Sequence, residues 1–267
     1  MPEFVHDELA FHYRDVGSGL PLVFQHGLGG DVEQPCGLFS PPEGIRLIAF
    51  DCRAHGKTEP LGPDQKIGIS QFADDLTALL DYLEIDTTIV GGISMGAAVA
   101  VNFALRRPER VQGLIQSRPA WWDGPNLRNA KLFSMVAKML RVHGTEVGQQ
   151  LFRESEMYQQ LRTESSDVAE SLAGQFDDFK AAERSVRLER IPLDAPYKEL
   201  QELARIQVPT LVMANRIDPI HPFEFGQRLA ASIPEAEFQE LTPKSESVQR
   251  HGEDVQRILT DFLHRTF

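Results

Sequence analysis

An α/β fold on a mostly parallel sheet is what this sequence predicts, and three observations predict it. Short apolar, β-branched runs alternate with segments of helical spacing over 20–117 and again from 208 onward. Strands that alternate with helices pair in parallel through right-handed crossovers, so helices cover both faces of the sheet. Several of the strand runs end in glycine- or proline-bearing loops, the tightest reading Gly92-Ile93-Ser94-Met95-Gly96. The third observation is a break in rhythm: 122–205 holds no buried strand and reads as a helical insertion.

In chain order, residues 8–16 set Leu9, Phe11 and Tyr13 against Ala10, His12 and Arg14, the alternation of an antiparallel edge strand. After Gly17-Ser18-Gly19, the apolar run 20–25 enters His26-Gly27-Leu28-Gly29-Gly30, whose glycines let backbone N–H groups aim at a ligand. Pro35, Pro41 and Pro42 mark 31–44 as an irregular loop, and 45–50 is the next buried strand. It ends in Asp51-Cys52-Arg53-Ala54-His55-Gly56, where Asp51, Arg53 and His55 are expected to brace the turn. Residues 70–84 have helical spacing, with Phe72, Leu76, Leu79, Leu80 and Leu83 on one face and Ser70 as the expected N-cap. The strand through Val90, the turn at Ser94 and the small-residue helix 97–104 follow, then a strand over 111–116.

In the insertion, helices are expected over 131–142, 145–162, 166–179 and 196–205, broken by Gly144, Pro192 and Pro196. Strand rhythm returns over 208–214 and 236–241. Helices are expected over about 223–233 and along the face of Val255, Ile258, Leu259, Phe262 and Leu263.

The 267 residues suit one large α/β domain with an insertion. A net charge of −12 repels phosphate backbones and anionic lipid, so neither nucleic acid nor a membrane is an expected partner. The longest apolar stretch, 89–105, is interrupted by Gly91, Gly92, Ser94, Gly96 and Asn102 and reads as a buried strand and helix rather than a span. Two cysteines, Cys36 and Cys52, make no disulfide framework or zinc cluster, and residues 1–8 lack the basic and apolar regions of a signal peptide. The cytoplasm is the expected location.

The chemistry centres on Ser94. A strand, a tight turn and a helix around Gly-x-Ser-x-Gly are the surroundings of a nucleophile elbow. A serine hydroxyl needs a base within hydrogen-bond reach and an acid to hold that base. Asp218, just past a buried strand in a loop stiffened by Pro219 and Pro222, is the expected acid, with Asp123 as runner-up. The late histidines are His221, His251 and His264. His264 falls in the last turn of the last helix, and His221 lies only three residues from Asp218. His251 is expected on a connecting segment ahead of the acidic helix start Glu253-Asp254, which makes it the expected base, with His221, or no working base, as the alternatives. The backbone N–H groups of Leu28 and Met95 are the expected oxyanion donors. Trp121 and Trp122 open the insertion and are candidates to line a substrate pocket.

These pieces resemble the α/β-hydrolase fold family. The resemblance rests on His26-Gly27-Leu28-Gly29, Asp51-x-Arg53-Ala54-His55-Gly56, Gly92-Ile93-Ser94-Met95-Gly96 and Asp218-Pro219-Ile220-His221-Pro222, in the family's order of serine, acid and histidine. It covers nearly the whole chain. It implies an eight-stranded, mostly parallel sheet flanked by helices, with a core of 1–121 and 206–267 and a helical cap of 122–205 inserted after the sixth strand. It implies no cofactor. The chain looks most like small esterases and 3-oxoadipate enol-lactonase-like hydrolases, so a small ester or lactone is the expected substrate, cleaved by Ser94, His251 and Asp218, with a homodimer left open. Carbon–carbon bond hydrolysis, a cofactor-free lyase, or a catalytically impaired scaffold that holds a small ligand would use the same site. Two departures stand out: Ala54 replaces a usual glycine, and Lys244-Ser245 stands where the family carries Gly-His.

Overall fold

The computed structural model describes residues 2–267. Its sheet has eight strands in the order β1-β2-β4-β3-β5-β6-β7-β8. These are β1 (Glu3–His6), β2 (Leu9–Gly17), β3 (Leu20–Gln25), β4 (Ile45–Phe50), β5 (Thr88–Ile93), β6 (Val111–Ser117), β7 (Thr210–Ala214) and β8 (Ala236–Glu240). From β4 to β8 every pairing is parallel; β2 runs antiparallel to both β1 and β4. The expected edge strand is therefore not an edge. Residues 3–6 form a further strand outside it, joined through Asp7 and Glu8 with φ of 51° and 64°. Two left-handed residues in a two-residue loop match the right-handed twist of a hairpin. Phe4 stacks on Phe11 at 5.0 Å between ring centres and ties the extra strand down.

The helices are α1 (Glu33–Leu38), α2 (Ile69–Tyr82), α3 (Met95–Arg106), α4 (Leu127–Glu154), α5 (Glu156–Glu164), α6 (Ser166–Ala173), α7 (Val186–Arg190), α8 (Phe223–Ser232) and α9 (Val248–Thr266). Helix α2 buries Phe72, Leu76, Leu79 and Leu80 as its spacing predicts, but its N-cap is Gly68, not Ser70. The freed N–H of Ile69 donates instead to Asp194 Oδ2 at 2.8 Å, a carboxylate 125 residues away. One apolar cluster joins α2 and α3 to one face of the sheet, and a second packs α9 on the other. A third, with Phe133, Val136, Leu140, Phe152, Leu161, Val168 and Leu172, is built mainly from α4–α6 and takes in Leu188 of α7 and Ile220 after β7. Helix α4 runs across the expected break with a kink at Gly144, φ 73°, and residues 200–205 form a 3-10 turn rather than an α-helix. No helix among the described residues is long and apolar enough to cross a membrane.

Strand order decides where a ligand can enter. β3 has β4 on one side and β5 on the other, so the chain leaves its middle in opposite directions. The loops after β3 and β5 diverge there, and such a crevice at the carboxyl ends of the strands is where open α/β sheets bind ligands. Those two loops carry His26–Gly30 and Ser94.

Candidate active site

Ser94 joins β5 to α3 with φ 54° and ψ −108°, a strained conformation for a residue with a side chain. The turn closes because two neighbours lack a Cβ. One on Gly92 would lie 2.4 Å from the carbonyl carbon of Gly96, and one on Gly96 would lie 2.2 Å from the carbonyl oxygen of Gln25. Ser94 N donates to Ser117 O of β6 at 3.0 Å, and Ser94 O accepts from Ala98 N at 3.1 Å, so sheet and helix hold the turn from both ends. Met95 is the first residue of α3, so its N–H has no intrahelical acceptor.

The loop after β3 is fixed by buried polar contacts. His26 Nδ1 lies 2.8 Å from Gly27 O, and its Nε2 accepts from Cys52 N at 3.1 Å. Nδ1 therefore carries the proton and the ring is neutral; burial also lowers its pKa. Gly27 N donates to Gln34 Oε1 at 2.7 Å. Asp51 accepts from Val32 N at 2.8 Å and Lys57 N at 2.7 Å and pairs with His12 Nδ1 at 2.9 Å. Arg53 forms a bidentate pair with Asp75 at 2.7 Å for each contact, and His55 Nδ1 lies 2.9 Å from Arg53 O. These residues brace the loops beside Ser94. None of Asp51, Arg53 and His55 lines the cavity at Ser94.

That cavity has a volume of about 190 Å³. Its polar wall holds Ser94, Arg118, His221, Lys244 and Asp167; Leu28, Phe133, Val168 and Ile220 are among its apolar lining. Four of the lining residues, Phe133, Asp167, Val168 and Ser171, come from α4 and α6.

Asp218 follows β7 and is buried. Its Oδ1 accepts from the backbone N–H of Ile220 at 3.3 Å and of His221 at 3.1 Å, and its Oδ2 lies 2.8 Å from His221 Nδ1. Burial alone would raise this carboxyl, but His221, by charge and hydrogen bonds, and Arg118 draw it down to about 2. An ionised carboxylate only accepts, so the proton between the two lies on His221 Nδ1. His221 Nε2 is left as an acceptor, buried and without a hydrogen-bond partner among the described residues. The exposed Asp123 is not part of this cluster.

Three sequence expectations need correction. His251 is not on a connecting segment. α9 starts at Val248, capped by Ser247 Oγ accepting from Arg250 N at 3.2 Å, so His251 falls inside the helix. Its Nδ1 is 2.8 Å from Thr242 O, it is 2% exposed, and it does not line the Ser94 cavity. Burial leads the lowering of its pKa to about 4, so the ring is a neutral strut under the loop that carries Lys244. Asp254, expected in a helix first turn, accepts from Thr242 N at 2.9 Å and pins the same loop. Trp121 and Trp122 do not line the cavity either. The Trp121 indole donates to Asp194 O at 2.9 Å and packs in the core, while Trp122 sits beneath Arg228. The residue sequence reasoning undervalued is His221. Its three-residue offset from Asp218 was the available signal: it lets one loop hold both partners of an acid–imidazole pair.

Residues 21–246 match the family model described as the α/β hydrolase fold. The chain belongs to the α/β hydrolase fold family. Among its relatives, a putative carbamate hydrolase RutD of Pseudomonas savastanoi pv. phaseolicola is 28% identical, over 91% of this chain and 93% of that protein. A 2-hydroxy-6-oxononadienedioate/2-hydroxy-6-oxononatrienedioate hydrolase of Pseudomonas putida is 28% identical, over 96% and 92%. The crystal structure of the enol-lactonase of Burkholderia xenovorans LB400 superposes with a TM-score of 0.74 at 22% identity, over 98% of this chain and 100% of that one, a likeness of fold. Against the family's pattern, the departures at 244 and 245 have a structural face: Lys244 lines the cavity and Ser245 is exposed.

Proposed function

We propose that the chain hydrolyses a small ester or lactone through an acyl-enzyme on Ser94, with His221 as base and Asp218 as the residue that orients it. One observation carries this reading. Ser94 on its strained turn and His221 share a cavity, and the imidazole has Nδ1 on a carboxylate and Nε2 unpartnered. A buried polar atom without a partner costs roughly 1–3 kcal/mol, so its retention beside a nucleophile has a use. The relatives named for carbamate, dienedioate and lactone chemistry support hydrolysis as the class. The cavity falls below the roughly 300 Å³ at which drug-sized ligand sites begin, which favours a small substrate.

In this mechanism Ser94 Oγ attacks the carbonyl carbon while its proton passes to His221 Nε2. The oxyanion is held by the backbone N–H groups of Leu28 and Met95, each worth about 2.7–4 kcal/mol by analogy with measured oxyanion donors. The imidazolium returns the proton to the leaving alkoxide and the ester stays on Oγ. Water then adds to the acyl carbon, loses its proton to Nε2, and Ser94 leaves with that proton as the acid departs. We read 122–205 as a helical cap, on the ground that α4 and α6 supply part of the cavity wall. Free Cys36 and Cys52 agree with a reducing compartment such as the cytoplasm.

A second reading is a ligand-binding scaffold without turnover, favoured by the Lys244-Ser245 departure. A fluorophosphonate probe separates the two. The native chain is expected to label at Ser94, Ser94→Ala not at all, and His221→Gln at least about a hundredfold more slowly, as loss of a base predicts. Failure of the folded native chain to label would overturn the hydrolytic reading; unchanged labelling of His221→Gln would overturn the base.

A further inference from the structure

Resting on that hydrolytic reading, we infer that Arg118 and Lys244 form an anion subsite in the Ser94 cavity, so that the substrate is an ester or lactone carrying a carboxylate. Arg118 follows β6 and is 9% exposed. Its Nε is buried with no hydrogen-bond partner among the described residues, and its Nη1 stands 3.5 Å from Asp218 Oδ2. It adopts φ 49°, a left-handed backbone that costs a non-glycine residue about 1–2 kcal/mol. Strain of that kind persists where the surroundings enforce it, commonly at ligand sites. Lys244 lies in the β8–α9 loop, lines the same cavity, and makes no ion pair within 4 Å of any described residue. Two cations thus converge on a small half-enclosed space.

Asp167 and Asp218 balance their charge in number, but neither accepts a hydrogen bond from Arg118 Nε or Lys244 Nζ. Asp218 is committed to His221 and two backbone N–H groups. Asp167, from α6, takes the Ser165 hydroxyl at 2.6 Å. Burial, then repulsion from Arg118, lower the Lys244 ammonium to about 8 against the pull of Asp167 and Asp218. A carboxylate between the guanidinium and the ammonium would accept from the Arg118 guanidinium and from Lys244 Nζ. The volume limits what else it can bring: a short acyl chain joins the anion to a carbonyl at Ser94. The departure from Gly-His fits this arrangement: Lys244, in the place of the glycine, lines the cavity, Ser245, in the place of the histidine, is exposed, and the proton-accepting task stays with His221.

Two isosteric methyl esters test this directly: monomethyl succinate, which is anionic, and methyl 4-methylpentanoate, which is neutral. The native chain is expected to favour the anionic ester in kcat/KM by about tenfold or more, the usual gain from a charge-assisted contact. In Lys244→Met that ratio is expected to fall to near one; taking the ratio cancels effects common to both esters. Titration of Ser94→Ala with succinate by calorimetry reads the subsite without turnover. Succinate binding is expected there and is expected to drop at least tenfold when Lys244→Met is added. Equal turnover of both esters by native chain and Lys244→Met, without succinate binding, overturns the subsite and leaves the hydrolytic reading standing. No turnover of either ester, with succinate binding that depends on Lys244, keeps the subsite and removes the hydrolytic reading. Absence of both turnover and binding overturns the subsite.

Discussion

Replacing Asp218 by asparagine changes one charge while keeping shape, and two quantities follow from the structure. The new side chain would present an amide N–H₂ or C=O where the carboxylate now accepts from His221 Nδ1 at 2.8 Å. If the amide nitrogen faces the ring, Nδ1 must become the acceptor, the proton moves to Nε2, and the base is lost. Loss of the orienting carboxylate in the analogous serine protease triad lowers kcat by about 10⁴, and a fall of roughly 10³–10⁴ is expected here. That is about 4–5.5 kcal/mol of transition-state stabilisation. The second quantity is stability. The Asp218 carboxyl falls from its ordinary 3.8 to about 2 in the folded chain. Such a drop corresponds to about 2 kcal/mol. The sign follows from which state binds protons more weakly. A carboxyl depressed on folding stabilises the fold above its unfolded value and loses that contribution as pH falls toward 2. Asp218→Asn is therefore expected to be less stable by about 2 kcal/mol at neutral pH and to approach the parent near pH 2–3. Urea unfolding at both pH values and turnover of a methyl ester read the two effects separately. A folded variant with turnover within tenfold of the parent would refute the role given to Asp218. Equal stability at neutral pH would refute the electrostatic account of its ionisation.

Two further substitutions probe the frame. Gly96→Ala should gain about 1 kcal/mol of helix propensity in α3, yet its methyl would stand 2.2 Å from the Gln25 carbonyl oxygen. A net loss of at least about 1 kcal/mol in urea unfolding, with loss of fluorophosphonate labelling, is expected; a stable, fully labelled variant would show that close approach is unnecessary. Arg53→Met removes the bidentate partner of Asp75, whose side chain is 0% exposed and whose pKa burial already raises despite the pair, and leaves it only Gln71 Nε2 at 3.2 Å and His6 Nε2 at 3.7 Å. Loss of the guanidinium should cost about 3 kcal/mol, measured by urea unfolding, and a loss under about 1 kcal/mol would contradict a pairing that matters to the fold.

What the sequence made legible is what local pattern controls. The alternation of apolar, largely β-branched runs with amphipathic helices marks every strand from β3 to β7, because burial on both faces leaves a continuous apolar signature. The elbow is legible because close packing at Gly92 and Gly96 excludes any side chain there. What stayed hidden is what distant residues supply. The cap of α2 comes from Asp194 rather than from Ser70, and no local pattern carries a contact across 125 residues. β1 has only one fully buried residue, Phe4, so its four residues show little apolar signature. The start of α9 was legible in principle from Ser247. The acidic pair at Glu253-Asp254 pointed instead to a later start, and Asp254 serves the loop at Thr242.

The base shows how such an error propagates. A histidine on a free loop can reach a serine, whereas one inside α9 with its Nδ1 on Thr242 has its geometry set by the helix. Moving the helix start from about 252 to Val248 therefore places His251 inside α9 and outside the lining of the Ser94 cavity without altering the rest of the fold. The imidazole that remains available is bound to its acid within one proline-flanked loop, so Asp218 and His221 move as a unit rather than meeting across two loops. Such a pair does not depend on the β8–α9 loop for its orientation. That loop is then free to present Lys244, one residue before the position that would otherwise hold the base, and on our proposal Lys244 there selects the charge of the substrate.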